Sequence, residues 1–217
     1  MRYSVLTSSR LQIEDLNQGG FRHRIAMLTL TYRDLDGWNP RHVSDLMRHI
    51  RQWCKRRNIE FRYVWVAELQ KRGALHYHIL IWLPRGICLP KPDKQGWWPH
   101  GFTKIEWAKN ALGYIAKYAS KGEENAHGFP KGCRIHGCGG LYAKSRNERC
   151  WWSMPSWVRE TTTIEDSPRR AKGGGILLKS TGEILVSPWR VEFTAMGIFA
   201  VKRNLEQETK GMTNDQI

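Results

Sequence analysis

No apolar run in the sequence approaches the length of a membrane span, and the first residues, MRYSVLTSSRLQIEDLNQGG, lack the apolar stretch of a secretory signal. Both absences lead us to expect a soluble cytoplasmic protein with no membrane partner. There is no Gly-Lys dipeptide, so a Walker-type phosphate loop is excluded, and any ATP-driven strand separation has to come from another protein. Cysteine is scarce: five residues, an odd number without a signal sequence, argue for reduced thiols rather than a disulfide framework. Acidic side chains are also few, with 20 Asp and Glu against 35 Lys and Arg, leaving a net charge of +15 on 217 residues. That excess points to a polyanionic partner, nucleic acid first.

What is present sharpens this expectation. Hydrophobic residues make up 41% of the chain, enough for a real core, so disorder throughout is excluded. The 11 Trp, 7 Tyr and 6 Phe divide between that core and faces on which unpaired bases can stack. Residues 1–20 read as a polar lead-in, and Ile25 to Arg33 (IAMLTLTYR) as a strand. Asn39 and Pro40 announce a helix, with Val43, Leu46, Met47, Ile50 and Trp53 on its inner stripe and Arg48, Arg51, Lys55 and Arg56 outside it. Phe61 to Glu68 and Leu75 to Leu83 form a predicted antiparallel hairpin, followed by a loop from Pro84 to Gly101. Thr103 and Glu106 have the spacing of a capping box, predicting a helix through Lys121 with Ile105, Ala108, Leu112, Ile115 and Ala119 buried. From there to about Pro155 the chain reads as loop, then as a basic linker at Pro168 to Gly175, a hairpin over 176–192 and a polar tail from Lys202.

Two constellations carry chemistry. In His76-Tyr77-His78, strand alternation turns both imidazoles to one side, and the hairpin brings Glu68 opposite or diagonal to them on that face. Two imidazoles and a carboxylate suit a divalent cation, Mg2+ or Mn2+, acting as a Lewis acid on a phosphate. On the following helix, Tyr114 and Tyr118 lie one turn apart and off the buried stripe, with Lys117 beside both. A phenol is a weak nucleophile until a polarised electrophile helps it, and a nearby ammonium steadies the developing charge. Tyr114, further from the stripe, is the expected first nucleophile. Arg33, Arg72 and Lys121 are candidate DNA contacts. Cys133, His136, Cys138 and Cys150 could be read as a zinc set, although the spacing is not that of a common zinc module. Of Trp97-Trp98 and Trp151-Trp152, at most one of each pair is expected to meet DNA.

TLTYR at Thr29 to Arg33, LHYHILIW at Leu75 to Trp82 and GYIAKYASK at Gly113 to Lys121 together resemble the three ordered motifs of HUH endonucleases. They are most similar to those of rolling-circle replication initiators of filamentous and other single-stranded DNA bacteriophages. The resemblance spans roughly residues 22–160 and makes that stretch the expected endonuclease domain, between a lead-in of residues 1–21 and a basic, hairpin-bearing extension of residues 161–217. It implies an α+β fold, a central antiparallel sheet with packed helices in a split βαβ arrangement related to ferredoxin and RRM-like folds. It further implies His76, His78 and Glu68 as metal ligands, Tyr114 and Tyr118 as nucleophiles, Lys117 as electrostatic helper, and no particular role for Thr29 or Thr31. The implied activity is a nick in single-stranded DNA at a replication origin through a 5′-phosphotyrosine, followed by rejoining, with host helicase and polymerase as partners. The same chemistry serves transposases and relaxases. A different class, a non-catalytic nucleic-acid module presenting Tyr63, Trp65 or Tyr77 to bases, accounts for the charge but leaves Glu68, His76, His78 and Tyr114 unexplained.

Overall fold

A computed structural model describes residues 2–20, 22–35, 37–70, 72–124, 128–172 and 174–203, with the backbone alone for residues 121–124. These residues fall into two compact units that divide between Arg149 and Cys150.

The first unit is built on a five-stranded, wholly antiparallel sheet in the order β4-β1-β3-β2-β5. Its strands are β1 (His23–Tyr32), β2 (Arg62–Leu69), β3 (Leu75–Pro84), β4 (Gly101–Trp107) and β5 (His136–Gly139). This is the expected α+β architecture. Residues paired across antiparallel rungs share a face, so the register sorts the side chains. Leu30, Leu28, Tyr77, Ile79, Ile81, Ala67 and Trp65 point to one face and pack with the inner stripe of α2 (His42–Lys55), namely Leu46, Met47, Ile50 and Trp53. Met27, Leu80, Val64, Val66 and Trp82 point to the other face, where α1 (Arg2–Gln18) and α3 (Ala111–Glu124) contribute Val5, Leu16, Ile115 and Ala119.

Three expectations are corrected here. Residues 2–18 are no lead-in but a full helix lying against α3 and β2. Its inward face carries Ser8, Ser9, Gln12 and Asp15 among Val5, Leu11 and Leu16, so no apolar stripe announces it. Ser8 and Ser9 donate back to Ser4 O and Val5 O within the helix, whereas Gln12 and Asp15 are satisfied by a distant group: buried Arg62 donates from Nη1 to Gln12 Oε1 and Asp15 Oδ2, both at 3.1 Å. Asp15 also accepts from Ser145 Oγ at 2.5 Å and from the Tyr142 amide at 2.9 Å. A buried charge left with fewer partners would be costly, so this network fixes where α1 docks.

Thr103 to Trp107 is strand rather than the first turns of a helix. Phe102, Lys104 and Glu106 alternate with the more buried Thr103 and Ile105, the period of a half-buried strand. The helix instead begins at Ala111, where Asn110 Oδ1 accepts from the Gly113 amide at 2.9 Å, and Leu112 faces outward. Asn39 likewise stands upstream of its helix, with Oδ1 accepting from the Arg41 amide at 2.9 Å in a local turn before α2.

Third, the stretch after α3 holds β5 and then α4 (Ala143–Trp152), which carries the chain across the division. In the second unit, α5 (Ser156–Thr161) and a small sheet of β6 (Arg169–Arg170), β7 (Ile176–Leu177) and β8 (Ile184–Leu185) enclose Met154, Val158, Ile176 and Leu178. The supposed basic linker thus supplies strand β6. The expected hairpin is shorter, and Trp189–Thr194 (β9) pairs instead with Gly197–Lys202 (β10). The tail beyond Arg203 lies outside the described residues. No described helix is long and apolar enough to cross a membrane.

Candidate active site

The β2–β3 hairpin closes through a tight turn in which Gln70 N donates to Ala74 O at 2.9 Å and Gly73 N to Gln70 O at 2.8 Å. Gly73 adopts φ +85°, which glycine tolerates without strain. The turn sets the register Glu68↔His76 and Val66↔His78, while β1 on the other side contributes Thr31↔His76 and Thr29↔His78. Glu68, His76, His78, Thr29 and Thr31 therefore occupy one corner of the α3-side face, as the hairpin reading predicts for the first three.

The contacts within this corner are direct. His78 Nε2 lies 3.1 Å from Glu68 Oε1, and both side chains are nearly buried. The His76 and His78 rings stack with centroids 4.8 Å apart. Thr29 Oγ1 is 3.4 Å from His78 Nδ1 and Thr31 Oγ1 is 3.5 Å from His76 Nδ1, at the long end of hydrogen bonding. Gln70 Nε2 approaches His76 Nδ1 at 2.7 Å. Arg72 Nε donates to Gln70 Oε1 at 3.0 Å, and since a guanidinium only donates, the Gln70 amide nitrogen is the end turned to His76. Arg72 also donates to the carbonyls of Tyr32 at 2.6 Å and Arg33 at 3.3 Å, which ties the turn to the end of β1. Its guanidinium is thus largely spent on the fold, with only its remaining N–H groups left for any phosphate.

Helix α3 completes the corner. Ala111, Ile115 and Ala119 hold it to the sheet, which aims Tyr118 at the histidines. The Tyr118 ring stacks on His78 with centroids 3.4 Å apart and 15° between planes. Burial, and next the negative charge of Glu68, raise the Tyr118 phenol above the ordinary tyrosine range. Tyr114, one turn earlier, is exposed with its ring centroid 6.0 Å from that of Tyr118. Lys117 is exposed on the same helix. Lys121 belongs to α3, but its side chain lies outside the described residues. Arg33 is exposed just beyond β1, its guanidinium 6.0 Å from the centre of the Phe102 ring.

The residues Thr29, Thr31 and Gln70 had no assigned role in the sequence. The alternation of TLTYR was the available signal: it puts both threonines on one face, and the pairing of β1 with β3 then brings them to the histidines.

The donor types of Glu68, His76 and His78 have the chemistry of a site for a hard or borderline divalent cation, and the three residues lie on adjacent rungs of neighbouring strands. As described, Glu68 and His78 are bonded to one another, and no three His, Cys, Asp or Glu side chains among the described residues are arranged to hold an ion. The zinc reading finds no support: Cys133 packs with the α2-side core and Cys138 with the opposite one. Trp98 is buried, and Trp151 donates to Thr162 O at 3.1 Å, so one member of each tryptophan pair is structural. Trp65 and Tyr77 are buried under α2 with Tyr63 half-buried beside them, so they offer no open platform for bases.

An antiparallel α+β sheet with paired histidines on a central strand and a tyrosine helix across them defines an HUH-endonuclease-like fold. Residues 25–123 match a family model of replication-associated proteins, the ORF2 type, in agreement with the resemblance to phage rolling-circle initiators. The match runs from β1 to α3 and includes every residue of the corner. Searches of curated proteins and of solved structures returned no match.

Proposed function

We propose that this protein starts rolling-circle replication by nicking one DNA strand at the origin through a tyrosine, and later rejoins the strand. The observation that supports this most directly is the Tyr118 ring stacked on His78 at 3.4 Å, with Glu68 bonded to the same imidazole. Glu68, His76 and His78 would hold a Mg2+ or Mn2+ ion, which when bound supplies Lewis-acid polarisation of the scissile phosphate.

The protein's own groups do the rest. Tyr118 Oη attacks phosphorus and the P–O3′ bond breaks. The phenol gives up its proton, O3′ takes one up, and the 5′ phosphate stays esterified to the tyrosine. The ester conserves the energy of the phosphodiester, so a 3′ hydroxyl can reverse the step without ATP. The Lys117 ammonium, three residues from Tyr114 and next to Tyr118, steadies the charge that builds on phosphate oxygens. Thr29 and Thr31, whose hydroxyls can accept from the Nδ1 side of the rings, hold the imidazoles in place. Tyr114, one turn away, cuts the regenerated origin in a second round. This order reverses the one favoured from the sequence, because Tyr118 rather than Tyr114 touches the histidines. A separate helicase and polymerase supply strand separation and synthesis.

The test is incubation of the protein with labelled single-stranded DNA from its own replicon, with Mn2+ or with EDTA. Cleavage with Mn2+ that is lost in EDTA and in Glu68→Ala is expected. Cleavage indifferent to both would overturn the reading.

A further inference from the structure

The turn after β3 and the end of α2 enclose a second feature that the tyrosine corner does not use. A cleft of about 650 Å³ is lined by Trp53, Arg56, Arg57, Ile87, Gln95 and Trp97, among others, and no acidic residue lines it. It sits at the Pro84 end of β3 and on the α2 side of the sheet. His76 is eight residues back along that strand, about 26 Å away at the rise of a β-strand. Its walls are set by backbone bonds: Trp97 N and Trp98 N both donate to Pro92 O, at 2.9 and 3.2 Å, and Ile87 N donates to Pro84 O at 3.2 Å.

Charge and aromatic surface coincide in this cleft. The Arg57 guanidinium lies 4.5 Å over the Trp53 ring, and the half-buried Trp97 ring runs parallel to His49 at 6.2 Å. Arg56 and Arg57 are exposed, and the ion pairs of the described residues include neither. Two arginines at the end of a helix also complement its dipole, and Trp53 is buried in the α2-side core, so the aromatic face the cleft presents beside them is that of the half-buried Trp97. Arginine with tryptophan in an open, preformed cleft is the combination that takes an unpaired base on an aromatic face and its phosphate on a guanidinium.

We propose that this cleft is a second contact for single-stranded DNA, remote from the nick, with a base against Trp97 and phosphates on Arg56 and Arg57. The proposal rests on single-stranded DNA being the substrate. It gives the protein a hold on the strand that does not pass through the tyrosines.

The test uses the full chain and a fluorescein-labelled oligothymidylate of about 30 nucleotides, long enough to span several single-strand binding sites, read by anisotropy across a salt series. Arg56→Ala with Arg57→Ala is expected to weaken binding about tenfold or more and to flatten the salt slope by about 1.4, the share of two phosphate contacts. Trp97→Ala is expected to weaken binding about tenfold and Trp97→Phe to restore most of it. Because Trp97 also packs on the core, the surface arginine pair keeps the test decisive if Trp97→Ala fails to fold. Manganese-dependent cleavage by the arginine variant falls with the lost affinity and recovers at saturating protein, because the tyrosine corner is untouched. Wild-type affinity and slope in that variant would overturn the second contact while leaving the nicking reading standing. No oligonucleotide binding by the wild type would overturn both.

Discussion

The two ends of one sheet face, built from the same three strands, have opposite characters. At the hairpin end the rungs read Thr31–His76–Glu68 and Thr29–His78, and two residues further along they read Met27–Leu80–Val64. The apolar end is sealed with side chains from α1 and α3. The polar end has Tyr118 laid across it and Tyr114 in solvent beyond. The packed core and the proposed chemistry are thus separated by about 7 Å along a strand. Substitutions on the two sides should fail in different ways.

The largest expected contrast is between His78→Ala and Leu80→Ala. His78→Ala should lower DNA cleavage by about a hundredfold or more under conditions where the variant remains folded. Leu80→Ala should cost about 2–5 kcal/mol in denaturant unfolding and leave cleavage measurable wherever the protein is folded. If both lose the same property, the division between the ends does not hold. Next comes the apolar end's own polar anchor: Arg62→Ala leaves Asp15 buried without its cation and should cost about 3–5 kcal/mol, with α1 the first segment opened to proteolysis.

A pH effect of intermediate size belongs to the α2 side. His42 and His100 stack with ring centroids 3.4 Å apart. Burial holds both below the ordinary histidine range; for His42 the neighbouring His100 adds to this, while Asp45 opposes it for both. The unfolded chain therefore takes up protons first as the pH falls. Their contribution to stability is complete above about pH 6.5 and is lost as the pH drops through the lowered folded values. Melting curves from about pH 7.5 to about pH 5 should show this loss, and His100→Asn should flatten it. The smallest effect is that of Thr29→Val, which removes one long bond to His78 and should reduce cleavage about two- to tenfold, about 0.5–1.4 kcal/mol.

The histidine hairpin was legible because β2 and β3 are rich in β-branched and aromatic residues and their connection is short, so the register followed. The start of α3 was not, because Thr103 and Glu106 have the spacing of a capping box while they alternate along a strand. Strand β5 was hidden by its glycines. A Cβ on Gly137 would come within 2.6 Å of Trp65 Nε1, and one on Gly139 within 2.7 Å of Tyr63 Cε1, so what reads as loop composition is room for two rings. Helix α1 was hidden because inward polar groups such as Asp15 find partners far along the chain, among them Arg62, Tyr142 and Ser145. In the candidate site the tyrosine pair was legible from helical spacing, but the closer approach of Tyr118 depends on where α3 begins and how it docks.

The most direct measurement is to trap the covalent product formed on replicon DNA with Mn2+, digest it, and identify the tyrosine that carries the nucleotide by mass spectrometry. The first-round adduct is predicted on Tyr118, absent from Tyr118→Phe and retained in Tyr114→Phe. Cleavage without a tyrosine adduct, or an adduct on a tyrosine outside α3, would contradict the assignment of this corner as the active site.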